Sequence, residues 1–295
     1  MKHLDGNNLV FIAGCPRSGT TFIQRLLAAL PNIQTGQESH LFEYVGPIWN
    51  NWQRHVKMKQ NDGRGGVGLP CYFEEDAFLD HLCDFIECLL TPMLEMLEPG
   101  DIFVEKTPSN ALYMDSIHKI LPKAKFICIH RDARDVVASL MAAHHSWGKQ
   151  WAPSTARKAA LLWCQHINKS KNDSKNLPVS QIFQLKYEEL QSHPAEMLSQ
   201  LALFLDMKWS VEDIRKAVNE NRLDVARTSG GTQIRTNLKS KKSNIIVHEP
   251  EGFVRRGKPG GWKKDLTLKD KFWVWRIARL TMKRVGYNWN FPYII

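Results

Sequence analysis

The residues best placed to do chemistry stand at the end of the first apolar run. There Gly14-Cys15-Pro16-Arg17-Ser18-Gly19-Thr20-Thr21 follows residues 9–13 and precedes a helical pattern over 22–30. A strand that enters a glycine-rich turn and leaves as a helix aims several backbone N–H groups and the positive end of a helix dipole at one point. That point attracts an anion. In the phosphate-loop pattern GxxxxGK[ST] the lysine reaches the β- and γ-phosphates of a nucleoside triphosphate, and the hydroxyl residue holds magnesium. Here Thr20 stands in the lysine position, and the cation of the loop is Arg17.

Two further segments have the same chemical character. The apolar run ending at His130 leads straight into Arg131, and the helical pattern behind it presents Ser139 about two turns on. An arginine fork suits phosphate, and a neighbouring serine adds a neutral donor. The ordinary alternative is a surface arginine capped by Asp132 or Asp135. Late in the chain comes Phe253-Val254-Arg255-Arg256-Gly257-Lys258-Pro259-Gly260-Gly261-Trp262-Lys263. Its glycines let the backbone approach a ligand, its cations neutralise one, and Trp262 can anchor the loop. Contact with nucleic acid is the competing reading. Three separate anion-binding elements in one chain point instead to a nucleotide that carries phosphate at two places.

On these motifs, over about residues 8–265, the chain resembles sulfotransferases that use 3′-phosphoadenosine-5′-phosphosulfate (PAPS) and release adenosine 3′,5′-bisphosphate (PAP). The resemblance implies that Arg17, Ser18, Gly19, Thr20 and Thr21 hold the 5′-phosphosulfate and that Arg131 and Ser139 hold the 3′-phosphate. The segment 253–263 is similar to the family's F-x-R-K-G-x-x-G-D-W-K, which implies that Arg255, Arg256 and Gly257 also face the 3′-phosphate. Arg256 replaces the lysine of that pattern and Gly261 the aspartate. Tyr187 resembles the family's tyrosine near the adenine, with a core tyrosine at a strand end as the plain alternative. Sulfuryl transfer needs no metal bridging two phosphates, so the missing lysine is accounted for and no metal is expected.

The resemblance also bears on the base. Small-molecule sulfotransferases carry a histidine in a K-T-H pattern, whereas this chain has Lys106-Thr107-Pro108. In the tyrosylprotein and carbohydrate branches a glutamate does this work, and tyrosylprotein sulfotransferases carry it in a G-E-E segment after the first helix; the matching segment here is Gly36-Gln37-Glu38-Ser39-His40. Glu38 is therefore the expected general base, His40 the reserve, and Lys106 with Arg17 the expected stabilisers of charge on the leaving phosphate. An ordinary surface carboxylate is the alternative for Glu38.

These residues need a frame. β-rich runs at 9–13, 102–105, 126–130 and 182–187 alternate with helical patterns at 22–30, 110–121, 133–144 and 195–205. Such alternation predicts an α/β fold, with a P-loop-like, mainly parallel sheet covered by helices on both faces, in a single domain over 1–295. Ligands in such sheets bind at the carboxyl ends of the strands, where each candidate lies. The glycine-rich stretch 57–69 and the Gly, Thr, Ser and Lys-rich stretch 227–243 read as mobile surface loops, either lids or plain connectors. An amphipathic helix is expected over about 268–285.

Composition limits the rest. The chain has 295 residues, 43% of them hydrophobic, and a net charge of +10. That excludes a disordered chain and predicts anionic partners. No stretch is long and apolar enough to span a bilayer, and peripheral contact through the basic 268–285 helix stays open. Six cysteines without CxxC or zinc spacing fit a reduced, cytoplasmic setting. The expected acceptor is a hydroxyl or amine of a small molecule, sugar or glycolipid rather than nucleic acid, and Trp49, Trp52, Trp147 and Trp151 lie in segments that either wall its pocket or pack in the core. Two rivals remain. One is a P-loop small-molecule kinase, which the absent lysine disfavours, and the other is a non-catalytic PAP-binding protein, which needs neither Lys106 nor Glu38.

Overall fold

In the computed structural model, residues 4–62, 67–95, 97–222, 231–238, 241–248, 250, 253 and 257–288 are described, with 61–62, 231–238 and 241–248 as backbone only. The sheet is built on β1 (Leu9–Gly14), whose six residues are all buried. A strand apolar on both faces belongs in the middle of a parallel sheet. Its neighbours are β3 (Ile102–Lys106) and β4 (Lys125–His130), with β2 (Ile33–Thr35) outside β3 and β5 (Ile182–Lys186) outside β4. All four pairings are parallel, giving the order β2-β3-β1-β4-β5. The chain leaves β1 toward β2 on one side and later builds β4 on the other. The carboxyl end of β1 is thus the switch point at which such sheets open a crevice.

The helices are α1 (Thr20–Ala28), α2 (Leu41–Asp62), α3 (Glu75–Leu94), α4 (Met114–Ile120), α5 (Ala133–His144), α6 (Ala156–Asp173), α7 (Tyr187–Ser192), α8 (Pro194–Leu205), α9 (Val211–Glu220), α10 (Trp262–Asp265) and α11 (Leu268–Arg284). Alternate strand residues point to opposite faces, and the core divides accordingly. Leu9, Phe11, Phe103 and Phe126 pack with Phe42, Trp49 and Ile86 of α2 and α3. Val10, Ile12, Val104 and Ile127 pack with Ile23, Leu26, Leu198 and Ile214 of α1, α8 and α9. A third cluster joins α5, α6 and α11 through Val137, Trp163, Val274 and Met282. Helices therefore cover both faces, as expected. No helix among the described residues is long and apolar enough to cross a membrane.

Three expectations change, and one open choice, that for Trp49 and Trp52, is settled. Residues 57–62 continue α2, and a 3-10 turn takes up Leu69–Cys71, so helix occupies part of the expected loop. In the expected loop 227–243, Gly231–Leu238 is a strand (β6) paired antiparallel with Lys241–His248 (β7). Alternating Thr232, Ile234 and Thr236 supplied the strand signal that the surrounding Gly, Ser and Lys obscured. The single helix expected over 110–121 is a 3-10 turn, Pro108–Leu112, followed by α4. Trp49 and Trp52 are core residues, 2% and 3% exposed, with Trp52 stacked 4.1 Å from Phe78. The α11 helix matches its expected range and starts with a capping box between Thr267 and Asp270.

Candidate active site

The glycine-rich turn delivers the chain from β1 into α1. Gly19 has φ 97° and Arg17 φ 72°, so two residues of the turn lie in the left-handed region. A methyl group on Gly19 would run into the Tyr187 ring, and one on Gly14 would come within 2.9 Å of Ile129. Glycine is therefore needed at both positions for packing, and at Gly19 for backbone conformation too. The first bond into the helix runs from Ile23 N to Gly19 O at 3.1 Å. The amides ahead of it face outward at a helix N-terminus, ready for an anion. Ser18 Oγ is buried with no hydrogen-bond partner, which suits a ligand oxygen.

Arg17 leans away from the cup of the turn. Its Nε donates to Ser139 Oγ at 3.1 Å, and its guanidinium sits 4.4 Å from the Phe253 ring centroid and 5.3 Å from that of Trp147. Two residues assigned to opposite ends of a nucleotide thus touch through one hydrogen bond. Arg131 lies over the Tyr187 ring at 4.2 Å and donates from Nη1 to Arg17 O at 3.2 Å, while its Nε is buried without a partner. The carboxylates expected to cap it are engaged elsewhere. Asp132 caps the N-terminus of α5 and pairs with Arg134, and Asp135 accepts from Gly260 N at 2.8 Å and Trp262 N at 3.0 Å. Asp135 thereby ties the late glycine turn to α5.

Tyr187 opens α7 rather than ending β5. It is 4% exposed, and its hydroxyl donates to Gly257 O at 2.6 Å. Burial pushes the phenol above its ordinary value, although Arg131 beside it pulls the other way. The hydroxyl thus remains a donor at neutral pH. Phe22 meets Tyr187 edge to face at 6.2 Å and offers a second aromatic wall. Arg255 and Arg256 lie outside the described residues.

Across the pocket, β3 ends in Glu105-Lys106-Thr107. Glu105 is 2% exposed and fully engaged: Oε1 accepts from Ser39 N at 3.2 Å, Ser39 Oγ at 2.8 Å and Thr107 Oγ1 at 2.7 Å, and Oε2 accepts from Asn110 Nδ2 at 2.5 Å. Thr107 Oγ1 in turn accepts from His40 N at 3.2 Å. A buried carboxylate saturated with donors fixes the 38–40 turn to the strand end. That turn places Glu38 Oε1 against Lys106 Nζ and Glu38 Oε2 3.5 Å from His40 Nε2. Lys106 is 6% exposed and Glu38 about one-third exposed, so the pair opens to the pocket on the carboxylate side.

These walls enclose a cavity of about 600 Å³. Arg17, Gly19, Thr20, Thr21, Glu38, Arg131, Ser139, Tyr187 and Gly257 line it, whereas Ser18 and Lys106 lie just behind. Trp147 and Trp151 line it too. Sequence reading missed Phe22, Arg25, Glu43, Pro108 and Ser109, which are also lining residues. For Glu43 a signal existed, since Glu38-x-His40-x-x-Glu43 runs into the first turn of α2. A cavity with a cationic, amide-rich wall facing a Lys–Glu pair can hold an anionic donor and take a proton from a nucleophile.

Known proteins with this arrangement can now be compared. The model of the sulfotransferase family matches residues 9–211. Protein-tyrosine sulfotransferase 1 of Danio rerio is 28% identical over 207 residues, covering 68% of this chain and 54% of that protein. Protein-tyrosine sulfotransferase 1 of Homo sapiens is 26% identical over 202 residues, covering 68% of this chain and 52% of its own length. The chain thus spans about half the length of these relatives. Among solved structures, a mouse sulfotransferase complexed with PAP superposes with TM-score 0.59 at 15% identity, over 94% of this chain and 84% of that one. The sulfotransferase domain of the Synechococcus PCC 7002 olefin synthase gives TM-score 0.59 at 16% identity over 98% of both chains. These structures speak for the fold. Because the family model spans more than two-thirds of its length, the chain belongs to the sulfotransferase family.

Proposed function

We propose that this protein transfers the sulfuryl group of PAPS to a phenolic hydroxyl, that of a tyrosine in a polypeptide, with Glu38 as general base. The observation that carries this reading is the Glu38–Lys106 pair opening onto the pocket opposite the glycine-rich turn. The relatives' names favour a tyrosine acceptor over the small molecule, sugar or glycolipid expected from the sequence. Acid–base chemistry agrees, because a phenol titrates near pH ~10 and yields its proton to a carboxylate more readily than an alkyl hydroxyl does.

The residues present fit the donor. The outward amides of 19–21 and the buried, partnerless Ser18 Oγ suit the 5′-phosphosulfate. Arg131, with its partnerless Nε, and Ser139 suit the 3′-phosphate, and Tyr187 and Phe22 offer aromatic surface to the adenine. In the reaction the acceptor oxygen attacks sulfur in line, its proton passes to Glu38, and the S–O bond to the 5′-phosphate breaks with its electron pair staying on that phosphate. Lys106 and Arg17 stabilise the charge that develops there.

The test supplies purified protein with labelled PAPS and three acceptors: a tyrosine peptide, its phenylalanine counterpart and a free sugar. Transfer to the tyrosine peptide alone is expected. Transfer to the sugar in preference would overturn the acceptor, and magnesium-dependent turnover of ATP in place of PAPS would overturn the reaction.

A further inference from the structure

Beside the Lys106–Glu38 pair lies a second set of contacts that binding alone does not need. His40 Nε2 is 3.5 Å from Glu38 Oε2, and its other ring nitrogen, Nδ1, is 2.9 Å from Glu43 Oε1. Ser109 Oγ donates to the same Glu43 oxygen. His40 takes φ 52°, in the left-handed region that few non-glycine residues adopt and histidine more readily than most, and its amide is tied to Thr107. Strain of this kind persists where the surroundings impose it. The imidazole is thus built in between two carboxylates on the pocket wall.

Those contacts set the tautomer. Burial alone would raise Glu43, but the hydrogen bonds from Ser109 and His40, together with the charges of His40 and His166, outweigh it and leave its carboxyl below the ordinary value. An ionised carboxylate only accepts, so Nδ1 must carry the hydrogen of the 2.9 Å contact. In the neutral ring, Nε2 then presents a lone pair to Glu38. With Glu38 ionised the two atoms are both acceptors and gain nothing from each other. Once Glu38 carries a proton, its hydroxyl can donate to Nε2.

We propose that His40 is the proton relay of this site: it receives at Nε2 the proton that Glu38 takes from the acceptor, with Glu43 and Ser109 holding the ring in the receiving tautomer. The proposal rests on Glu38 acting as base. No redox partner is involved, because the proton moves from acceptor oxygen to Glu38, to His40 Nε2 and then to water at the half-exposed ring. The charged and titratable groups facing this path are Glu38, Lys106 and Glu43, together with His166 of α6 and Tyr113, both of which feel the charge of Glu43.

The first test needs no turnover. In nitrogen-15 spectra of the protein with PAP bound, neutral His40 should be protonated at Nδ1, and a ring protonated at Nε2 would overturn the relay. The second test measures turnover of PAPS with a tyrosine peptide. His40→Gln keeps a polar group toward Glu38 but cannot pass a proton on, and His40→Asn tolerates the left-handed backbone. Both should lower kcat about 10- to 100-fold, as loss of a group supporting a reacting residue does, with PAP affinity unchanged. Added imidazole should restore turnover to His40→Ala and not to Glu38→Gln. If His40→Gln turns over within about 2-fold of wild type, or if imidazole restores nothing, the relay is wrong and His40 only shapes the turn. If Glu38→Gln keeps full turnover, the base assignment itself fails, a result distinct from either of those.

Discussion

The two walls of the pocket handle charge in opposite ways. On the wall formed by the ends of β1 and β4, neutral groups stand against the cations among the described residues: Ser139, Phe253 and Trp147 beside Arg17, and the Tyr187 ring and a main-chain oxygen beside Arg131. On the wall at the end of β3, positive groups stand against carboxylates, Lys106 beside Glu38 and His40 between Glu38 and Glu43. A guanidinium set on an aromatic face with a buried, partnerless Nε, as in Arg131, has a donor to offer an incoming anion. A lysine and an imidazole among carboxylates have little net charge to offer but can pass a proton along. On the proposed function, one wall binds and the other reacts.

The largest expected effect separates the walls most sharply. Glu38→Gln should lower kcat by about 10²–10⁴, the range for a positioned general base. Titration with PAP should meanwhile give a dissociation constant within about 2-fold of wild type, because the substitution leaves the anion wall untouched. A variant that lost PAP affinity and turnover together would show that the two walls are not independent.

Acid should act on the anion wall by another route. His130, the last residue of β4 and the neighbour of Arg131, is buried, accepts or donates at Nε2 with Gln184 at 2.6 Å, and has an Nδ1 with no partner. Burial pushes it down from 6.5 to about 4, with Lys171 and Lys186 acting in the same direction. The folded-state value lies below the unfolded one, so this stability is present above pH 6.5 and is lost as the pH falls toward 4. A shift of that size corresponds to on the order of 3 kcal/mol. Urea unfolding of wild type should weaken between neutral and acid pH by more than that of His130→Gln. Equal slopes would place the acid sensitivity elsewhere.

Binding effects come next in size. Arg131→Ala should weaken PAP about 10- to 100-fold, since a hydrogen bond to a charged group contributes ~1.5–3 kcal/mol. Turnover at saturating PAPS should change little. An unchanged PAP affinity would remove Arg131 from the 3′-phosphate site and leave it as packing for Tyr187.

The anion wall was legible because its signals are local. Gly14 to Thr21 is contiguous, Arg131 follows its strand directly, β1 is apolar throughout, and β4 is apolar between Lys125 and His130. The carboxylate wall was legible only as isolated residues. Glu38 and Lys106 are 68 positions apart, and nothing in their local pattern says that Glu105 staples the two segments. Trp49 and Trp52 stayed open between pocket and core for a related reason. An amphipathic helix shows which of its residues share a face, but not whether that face meets a cavity or another helix, and Phe78 of α3 decides it. The 231–248 hairpin was missed because loop-forming residues outweighed a short β alternation that only pairing makes stable.

The smallest expected effect concerns the seam of the anion wall. Tyr187 contributes its ring to Arg131 and its hydroxyl to Gly257 O, so it joins the end of β5 to the late glycine turn. Tyr187→Phe keeps the ring and removes only the hydroxyl. A neutral hydrogen bond contributes about 0.5–1.5 kcal/mol, so PAP should weaken by about 2- to 10-fold with kcat unchanged. Tyr187→Ala should cost more, because the ring also fills the space that Gly19 leaves open and supports Arg131. If Phe and Ala substitutions weaken PAP equally, the hydroxyl accounts for the whole contribution and the ring is only a spacer. If Phe behaves as wild type, the glycine turn is held without the Tyr187 hydroxyl, as through the bonds of Asp135 to Gly260 and Trp262.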